Sequence, residues 1–243
     1  MFTELTIIIP SLNEENYIGK TLESIANQHF QGSMEVIVVD GYSSDKTAEV
    51  VKSYIPRIPN LRIIQTEKGI SHQRNKGVEE SKYEYLFFID ADMRLPDNFI
   101  QKILKKHHTS ENFIATTLHF PYDANIADYF VAALAYILIP ITNIFFPICP
   151  GTFTFTTKSH HNSINGYDEE AIIGEDIDYT IRSLKKGVKY NFYYWPPIFS
   201  SPRRARKMGR FNLLIMWIRW YIYNVKNGPI KNEDVFEYPL GKH

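Results

Sequence analysis

The first hundred residues alternate β-branched runs with amphipathic stretches, and this alternation constrains the fold more than any other feature. The runs predict strands at 5–9, 35–39, 61–65 and 84–89, and the stretches predict helices at 17–28, 46–54, 71–81 and 96–107. Ser71 is placed to cap the third of these helices, and Pro96 is placed to open the fourth. Strands that alternate with helices form βαβ units, so the sequence predicts an α/β fold with a mainly parallel central sheet flanked by helices.

Polar segments follow each of the four predicted strands, at 10–14, 40–45, 66–74 and 90–92. In open parallel sheets, ligands bind beyond the carboxyl ends of the strands. We therefore expect the functional site where these four segments meet.

The charge balance limits the classes of partner. The chain has 27 cationic and 27 anionic side chains, and this balance excludes bulk-electrostatic binding of nucleic acid as the main activity. A chain of 243 residues can bury a core without disulfides or a structural metal. Its one cysteine, Cys149, lies in an apolar run and is expected to be a small buried hydrophobe. The start has no cationic segment and no long apolar run, so we expect the catalytic part on the cytoplasmic side.

Asp90-Ala91-Asp92 gives the sharpest chemical signal. Two carboxylates that are two residues apart at a strand end point to the same side and can share one divalent cation. An intensely apolar strand delivers this pair to the expected ligand edge. The sequence therefore predicts a Mn²⁺ or Mg²⁺ site at Asp90 and Asp92, completed by substrate phosphates.

The segments after the first two strands allow more than one interpretation. Asp40 stands at a strand tip, where it can accept hydrogen bonds from a base or ribose. Asp45 is better explained as a helix cap, and Ser11 and Asn13 could equally cap the first helix.

Taken together, P-S-L-N-E-E, V-V-D-G-Y-S-S-D-K-T, G-I-S-H-Q-R-N-K-G and F-I-D-A-D resemble the family 2 glycosyltransferases of the GT-A fold. The resemblance covers residues 1 to about 110. It continues more weakly at Gly174-Glu175-Asp176, which looks like the family's Glu-Asp element. The resemblance implies transfer of a sugar from a nucleotide-diphosphate sugar, with inversion at the anomeric carbon.

The resemblance also implies a role for each motif. The donor-binding residues would be Pro10, Asn13, Glu14, Asp40, Arg74 and Asp90. Asp40 would face the base, and Asp90 together with Asp92 would approach the ribose and the metal-bound diphosphate. Asp176 would deprotonate the acceptor, although it could also be a surface acid in an acidic run. A direct displacement needs such a base and a cation to offset the charge that develops on the diphosphate.

Residues 129–157 form a segment of 29 residues without a charged side chain. This length matches a membrane span, but Pro140, Pro147 and Pro150 interrupt it. A transmembrane helix, a re-entrant or interfacial hairpin and a buried helix pair all stay open.

A second unusual region lies near the end of the chain. Five cations fall between Arg203 and Arg210, in a stretch that is either a solvated basic loop or a clamp for a diphosphate or lipid phosphate. The clamp residues would be Arg203, Arg204 and Arg206. The aromatic helix predicted at 211–225 is either packed in the core or an interfacial membrane anchor.

The sequence thus predicts a single GT-A catalytic domain over 1–243, with a nucleotide-sugar-binding half at 1–95 and an acceptor half at 96–200. Residues 201–243 would form the basic loop and an aromatic C-terminal helix, which is either membrane-associated or packed in the core. We expect a uridine diphosphate sugar as first choice of donor and a guanosine diphosphate sugar as second, with a hydroxyl or phosphate acceptor. The apolar regions make a lipid-linked acceptor at the cytoplasmic membrane face a reasonable hypothesis.

Two other classes use similar residues. A nucleotidyltransferase also uses paired carboxylates and a metal, but it usually needs a Gly-rich basic loop that 10–15 lacks. A non-catalytic nucleotide-sugar or lipid-binding protein is the other alternative. The oligomeric state is not indicated by the sequence.

Overall fold

A computed structural model describes residues 4–107, 112–123, 125–126, 128–129, 133 and 147–232. The strands in these ranges are β1 (Glu4–Ser11), β2 (Ser33–Asp40), β3 (Leu61–Gln65), β4 (Tyr85–Ile89), β5 (Met93–Arg94), β6 (Phe113–Pro121), β7 (Phe153–Thr157) and β8 (Lys189–Ser200). The helices are α1 (Ile18–Ala26), α2 (Thr47–Ser53), α3 (Ile70–Glu79), α4 (Phe99–Lys106), α5 (Lys158–Ser163), α6 (Glu175–Lys185), α7 (Arg203–Met208) and α8 (Arg210–Asn227).

The strands form one mixed sheet in the order β3-β2-β1-β4-β7-β6-β8-β5. The first four are parallel, since β1 pairs with β2 and β4, and β2 pairs with β3. β7 runs antiparallel to β4, and β6 is parallel to β8. The predicted α/β fold is confirmed, and the carboxyl ends of β1, β2 and β4 meet at one edge of the sheet.

Both faces of the parallel half are buried. Ile7 and Ile9 point into one apolar cluster and Ile8 into the other, and none of the three has exposed surface. Helix α3 lies so close to β1 that a Cβ on Gly77 would overlap the Ile8 side chain. This close contact holds α3 against the sheet, together with Arg74, the predicted site residue on this helix.

The sequence misplaced several element ends. Helix α3 begins after Gly69, and Ser71 does not cap it. Helix α4 begins at Phe99 and not at Pro96, because Asn98 adopts a left-handed conformation with φ of 59°. Strand β8 is irregular beyond Tyr193, where its register with β6 shifts and Thr117 donates a hydrogen bond to the Pro196 carbonyl.

The first part of the basic stretch after β8 forms the helix α7. The sequence leaves a solvated loop and a phosphate clamp open for this stretch. Helix α8 follows and buries Leu213 and Trp220, the latter in a small apolar cluster with Ile173 and Ile230.

None of the helices in the described ranges is long and apolar enough to span a bilayer. Most of the uncharged segment 129–157 lies outside the described residues, so its interpretation stays a prediction. Cys149, near its end, is buried as expected, and burial raises the pKa of its thiol well above the ordinary value.

Candidate active site

The turns that follow β1 and β2 interlock. Asn13 adopts a left-handed conformation, its N–H donates to Ser43 Oγ at 2.9 Å, and its Oδ1 accepts from the Ser44 N–H at 2.8 Å. Helix α1 has no side-chain cap, so neither Ser11 nor Asn13 caps it. Asn13 instead joins the ends of two strands, next to Pro10, which lies in β1 opposite Val39 of β2.

Asp40 organises the second of these turns. It has no exposed surface, and its Oδ2 accepts hydrogen bonds from the Ser43 N–H at 3.1 Å and from Gln65 Nε2 at 3.3 Å. The Ser43 hydroxyl donates to Oδ1. Gln65 ends β3, and no sequence pattern singled it out. Asp45 accepts from the Thr47 N–H at 2.9 Å, but Lys46 is the N-cap of α2 and has no side-chain cap, so Asp45 closes the turn before the helix and is not its N-cap.

Arg74 connects the two halves of the predicted site. Its guanidinium donates to Asp90 Oδ1 at 3.2 Å, to Glu175 Oε1 at 3.0 Å and to the Gly151 carbonyl at 2.9 Å. It has no exposed surface and lies over the Tyr167 ring at 5.0 Å. Burial works against its charge, but the negative groups around it outweigh burial and raise its pKa.

Asp176 lies in the first turn of α6, directly after Glu175. Its Oδ2 accepts from the Gly151 N–H at 3.0 Å, and its Oδ1 accepts from the Ile177 N–H at 2.8 Å. Burial, followed by the negative charge of Glu175, raises the pKa of Asp176 to about 6, against an ordinary value of 3.8. The Gly151 and Arg74 contacts oppose that rise. The side chain of Asp176 is half-buried, and the raised pKa makes it a stronger base than an ordinary aspartate.

Gly151 brings these two groups together. Its carbonyl accepts from Arg74 and its N–H donates to Asp176, so one peptide segment holds both side chains. A Cβ at this position would overlap the Arg74 guanidinium. A glycine is therefore the residue that this contact allows.

Arg203, at the start of α7, reaches the other side of the Asp90–Asp92 turn. Its two terminal nitrogens donate to the Glu14 carboxylate at 2.9 and 2.6 Å, and its Nε lies 3.2 Å from Asp92 Oδ2. The guanidinium stacks over the Tyr17 ring at 4.3 Å. Burial opposes its charge, but Glu14 and Asp92 outweigh burial and raise its pKa. The predicted clamp residue thus contacts two other predicted site residues.

The other predicted clamp residues differ from Arg203. Arg206 lies 3.6 Å from Asp128 and donates to the Asp123 carbonyl, away from Glu14 and Asp92. The side chain of Arg204 lies outside the described residues.

The Asp90–Asp92 pair provides carboxylate ligands of the type that Mg²⁺ and Mn²⁺ prefer. Both side chains are partly open, with 19% and 12% of their surface exposed. No cluster of three or more His, Cys, Asp or Glu side chains that could hold a metal occurs in the described ranges. Two neighbouring, partly open carboxylates fit Mg²⁺ or Mn²⁺, because such an ion is usually bound by one or two carboxylates and completed by substrate phosphate.

The family model described as glycosyl transferase family 2 matches residues 6–166, which include all four strand-end segments and Gly151. The chain belongs to glycosyl transferase family 2.

Two curated relatives of this glycosyltransferase each match less than half of its length. It is 31% identical over 104 residues to glycosyltransferase GlyA of Streptococcus pneumoniae, a match that covers 42% of this chain and 15% of that one. It is 34% identical over 93 residues to the poly(ribitol-phosphate) β-N-acetylglucosaminyltransferase TarS of Staphylococcus aureus, over 37% of this chain and 16% of TarS. The chain therefore matches about a sixth of the length of these relatives.

Solved structures confirm the GT-A fold. Residues 1–349 of S. aureus TarS superimpose with a TM-score of 0.65 and 18% identity, covering 87% of this chain and 65% of that one. The mannosyltransferase PcManGT of Pyrobaculum calidifontis, solved with GDP-Man and Mn²⁺, gives a TM-score of 0.65 and 19% identity, covering 88% and 64%. The enzyme is therefore an α/β glycosyltransferase with a curled, mainly parallel sheet.

The structure of this glycosyltransferase joins the predicted site residues into two groups. Arg74, Asp90 and Asp176 form one group around Gly151, and Glu14, Asp92 and Arg203 form the other. The sequence marks Gly151 as a turn or close-approach position and Tyr167 as part of a segment that shapes the acceptor pocket, but it assigns neither of them, nor Tyr17, a contact with the predicted site residues. These residues act through contacts made far along the chain, and no local pattern reports those contacts.

Proposed function

We propose that the enzyme transfers a sugar from a nucleoside diphosphate sugar to an acceptor by a single displacement that inverts the anomeric configuration. One observation supports this proposal most strongly: Asp176, an aspartate with a raised pKa, is connected to the donor-side carboxylate Asp90. Gly151 contacts both Asp176 and Arg74, and Arg74 contacts Asp90. Glu175, beside Asp176, completes the connection to Arg74.

Asp176 is the proposed general base. A pKa of about 6 leaves it mostly ionised at neutral pH, yet closer to that of an ideal base than an ordinary aspartate. Its two backbone hydrogen bonds fix the carboxylate, so an acceptor hydroxyl could approach from the open side. Turnover should therefore fall as the pH drops through about 6, where Asp176 takes up a proton.

The proposed donor pocket comprises Pro10, Asn13, Glu14, Asp40, Arg74 and Asp90. We favour a uridine diphosphate sugar over a guanosine diphosphate sugar. TarS was solved with UDP-GlcNAc and PcManGT with GDP-Man, so the fold accommodates both nucleotides in other proteins. Asp92, with Asp90, would hold Mn²⁺ or Mg²⁺, which when bound offsets charge on the diphosphate as a Lewis acid.

The proposed clamp on the departing diphosphate is formed by the arginines of α7, Arg203, Arg204 and Arg206. Arg203 supports this role most directly, because it already contacts Glu14 and Asp92. A guanidinium fork matches the oxygens of a phosphate in two parallel hydrogen bonds.

The test of this proposal is calorimetric binding of UDP and of GDP, with and without Mn²⁺, to the wild type and to Asp92→Asn. Binding that requires Mn²⁺ and weakens in the variant supports the donor site and identifies the base. Absence of binding by either nucleotide under every condition contradicts the proposal.

A second variant separates the enzyme from its alternatives. Asp176→Asn should keep donor affinity and lose about 10²-fold to 10⁴-fold in turnover. Full turnover in this variant contradicts the assignment of the base. A non-catalytic binding protein would bind donor equally well in both forms and turn over in neither, and a nucleotidyltransferase would release pyrophosphate from a nucleoside triphosphate.

We also propose a lipid-linked acceptor, a polyprenyl phosphate or a lipid-linked saccharide, reached from the cytoplasmic membrane face. The support is an outward apolar stripe on α8, where Ile215, Ile218, Ile222 and Val225 recur at helical spacing and are 44–54% exposed. Arg219 lies on the same turns, and α7 adds further cations. An apolar stripe beside cations suits an anionic bilayer surface.

Vesicle sedimentation tests this membrane contact. The enzyme should sediment with phosphatidylglycerol vesicles, and the double variant Ile218→Ser/Ile222→Ser should lose most of that binding. Ile55→Ser is the matched control, because Ile55 is 47% exposed on another part of the surface. Equal sedimentation of the wild type and the double variant contradicts the membrane contact and leaves the donor site unaffected.

A further inference from the structure

Arg203 joins three parts of the chain at the donor side of the site. It makes a two-pronged contact with Glu14, which follows β1 and lies 189 positions earlier in the sequence. Its Nε contacts Asp92, which follows β4, and Tyr17 supports its other face. The guanidinium is thus a positive charge placed against the carboxylate that we propose as the metal ligand.

We propose that Arg203 competes with the divalent cation for Asp92, so that Arg203 leaves Asp92 when the cation binds and then contacts the diphosphate. This inference rests on the proposed function, in which Asp92 receives the cation. In this proposal Arg203 is a positioning residue. Its side chain, at the start of α7, changes partners when the metal and the donor bind.

The competition follows from the geometry. Asp92 Oδ2 already accepts the Nε contact of Arg203 at 3.2 Å, and Asp92 has only 12% of its side chain exposed. A divalent cation on this carboxylate would stand a few ångströms from the guanidinium, where like charges repel strongly at the edge of a protein. The ion pair and the metal bond therefore weaken each other.

The diphosphate gives Arg203 a new partner. A nucleoside diphosphate arrives with negative oxygens that satisfy a guanidinium in two parallel hydrogen bonds. Arg203 sits in α7, at the end of the short linker after β8, so its side chain can exchange partners with little change in the sheet. Arg74 cannot do this, because it is fully buried and contacts three fixed acceptors.

The two steps predict opposite effects of removing Arg203. Without nucleotide, Arg203→Gln removes a competitor, so the affinity for Mn²⁺ should rise about threefold to tenfold. With Mn²⁺ present, the same variant lacks a contact to the diphosphate, so the affinity for UDP or GDP should fall about tenfold. A merely structural role would weaken both.

The experiment measures free Mn²⁺ by electron paramagnetic resonance in titrations of the nucleotide-free protein, and nucleotide binding by calorimetry at saturating Mn²⁺. Arg57→Gln controls for the loss of one positive charge, because Arg57 pairs with Glu23 on an exposed surface. Arg203→Lys keeps the charge but loses the two-pronged contact with Glu14, and it should fall between the wild type and Arg203→Gln. Circular dichroism confirms that each variant is folded.

The outcomes separate this inference from the proposed function. Tighter Mn²⁺ binding together with weaker nucleotide binding in Arg203→Gln supports the competition. Mn²⁺ affinity that is unchanged or lower in Arg203→Gln, while wild-type nucleotide binding depends on Mn²⁺ and Asp92, overturns the inference alone. Failure of the wild type and of Arg203→Gln to bind Mn²⁺ with either nucleotide overturns the proposed function as well.

Discussion

Two arginine–aspartate pairs flank the end of β4, and they differ in how each arginine is held. Arg74 reaches Asp90 from within the fold, has no exposed surface and donates to three acceptors. Arg203 reaches Asp92 from the C-terminal part of the chain and keeps 22% of its side chain exposed. The two aspartates are two residues apart in sequence, yet their partners come from distant parts of the chain, Arg74 from α3 and Arg203 from α7.

The difference separates a fixed group from an exchangeable one. A buried guanidinium with several hydrogen-bonded partners cannot leave without exposing unpaired buried charges, which is costly. A partly exposed ion pair is worth little and can be replaced by water or by a new ligand. We infer that Arg74 maintains the frame between donor and base, while Arg203 responds to what binds.

The largest effect that this comparison predicts comes from Arg74→Met. The substitution leaves Asp90 and Glu175 without their shared cation in a buried setting, so the free energy of unfolding should fall by about 3–5 kcal/mol. Urea denaturation followed by circular dichroism measures it. The same change at Arg203 should cost far less, and an equal loss at both arginines would refute the distinction.

Gly151→Ala is expected to have the next largest effect. The added methyl overlaps a guanidinium that is enclosed on all sides, so the free energy of unfolding should fall by about 1–3 kcal/mol. Gly19→Ala is the matched control, because a Cβ there meets Val50 at an ordinary 3.4 Å within helix α1. Thermal unfolding of both variants provides the measurement, and unaltered stability of Gly151→Ala would show that Arg74 can move after all.

Asp176 gives a pH-dependent prediction on the buried side. Its pKa is raised from 3.8 to about 6, so the folded protein favours the protonated form. The resulting stability is present below about pH 4 and is lost as the pH rises through about 6. Asp176→Asn should therefore raise the free energy of unfolding by about 1–2 kcal/mol at about pH 8, with a smaller gain at about pH 4.

Denaturation at both pH values checks this expectation. A gain in Asp176→Asn that does not depend on pH would indicate that burial does not perturb the carboxyl group. Such a gain would also remove the support for Asp176 as a base with a raised pKa. The control is Asp97→Asn, which changes an aspartate outside the site.

The sequence predicted the parallel half of the fold because its signals are local. Strands β1 to β4 are apolar and rich in β-branched residues, and each is followed by a polar turn. These local patterns predicted the positions of the strands and the sheet edge where Asp90 and Asp92 lie. The left-handed Asn98 that delays α4 and the helical form of α7 were not predicted, because packing decides both.

The partners of the site residues were the harder part. Arg74 was identified from its motif, but Glu175 lies 101 positions away from it and Gly151 lies 77 positions away. Glu14 and Arg203 are separated further still. Contacts at such separations depend on how the whole sheet is assembled, and a single sequence carries no pattern that reports them.

The smallest effects are expected within α7 and distinguish Arg203 from its neighbour. Arg203→Gln should lower the free energy of unfolding by about 1 kcal/mol, because Glu14 and Asp92 are partly buried and lose a two-pronged partner. Arg206→Gln should cost less than about 0.5 kcal/mol, because Arg206 has 46% of its side chain exposed and lies 3.6 Å from Asp128.

Urea denaturation in low salt and in about 1 M salt distinguishes the two losses of stability, since screening removes the exposed pair first. If both losses disappeared equally in salt, Arg203 would be an ordinary surface arginine, and the contrast with Arg74 would reduce to one of burial alone.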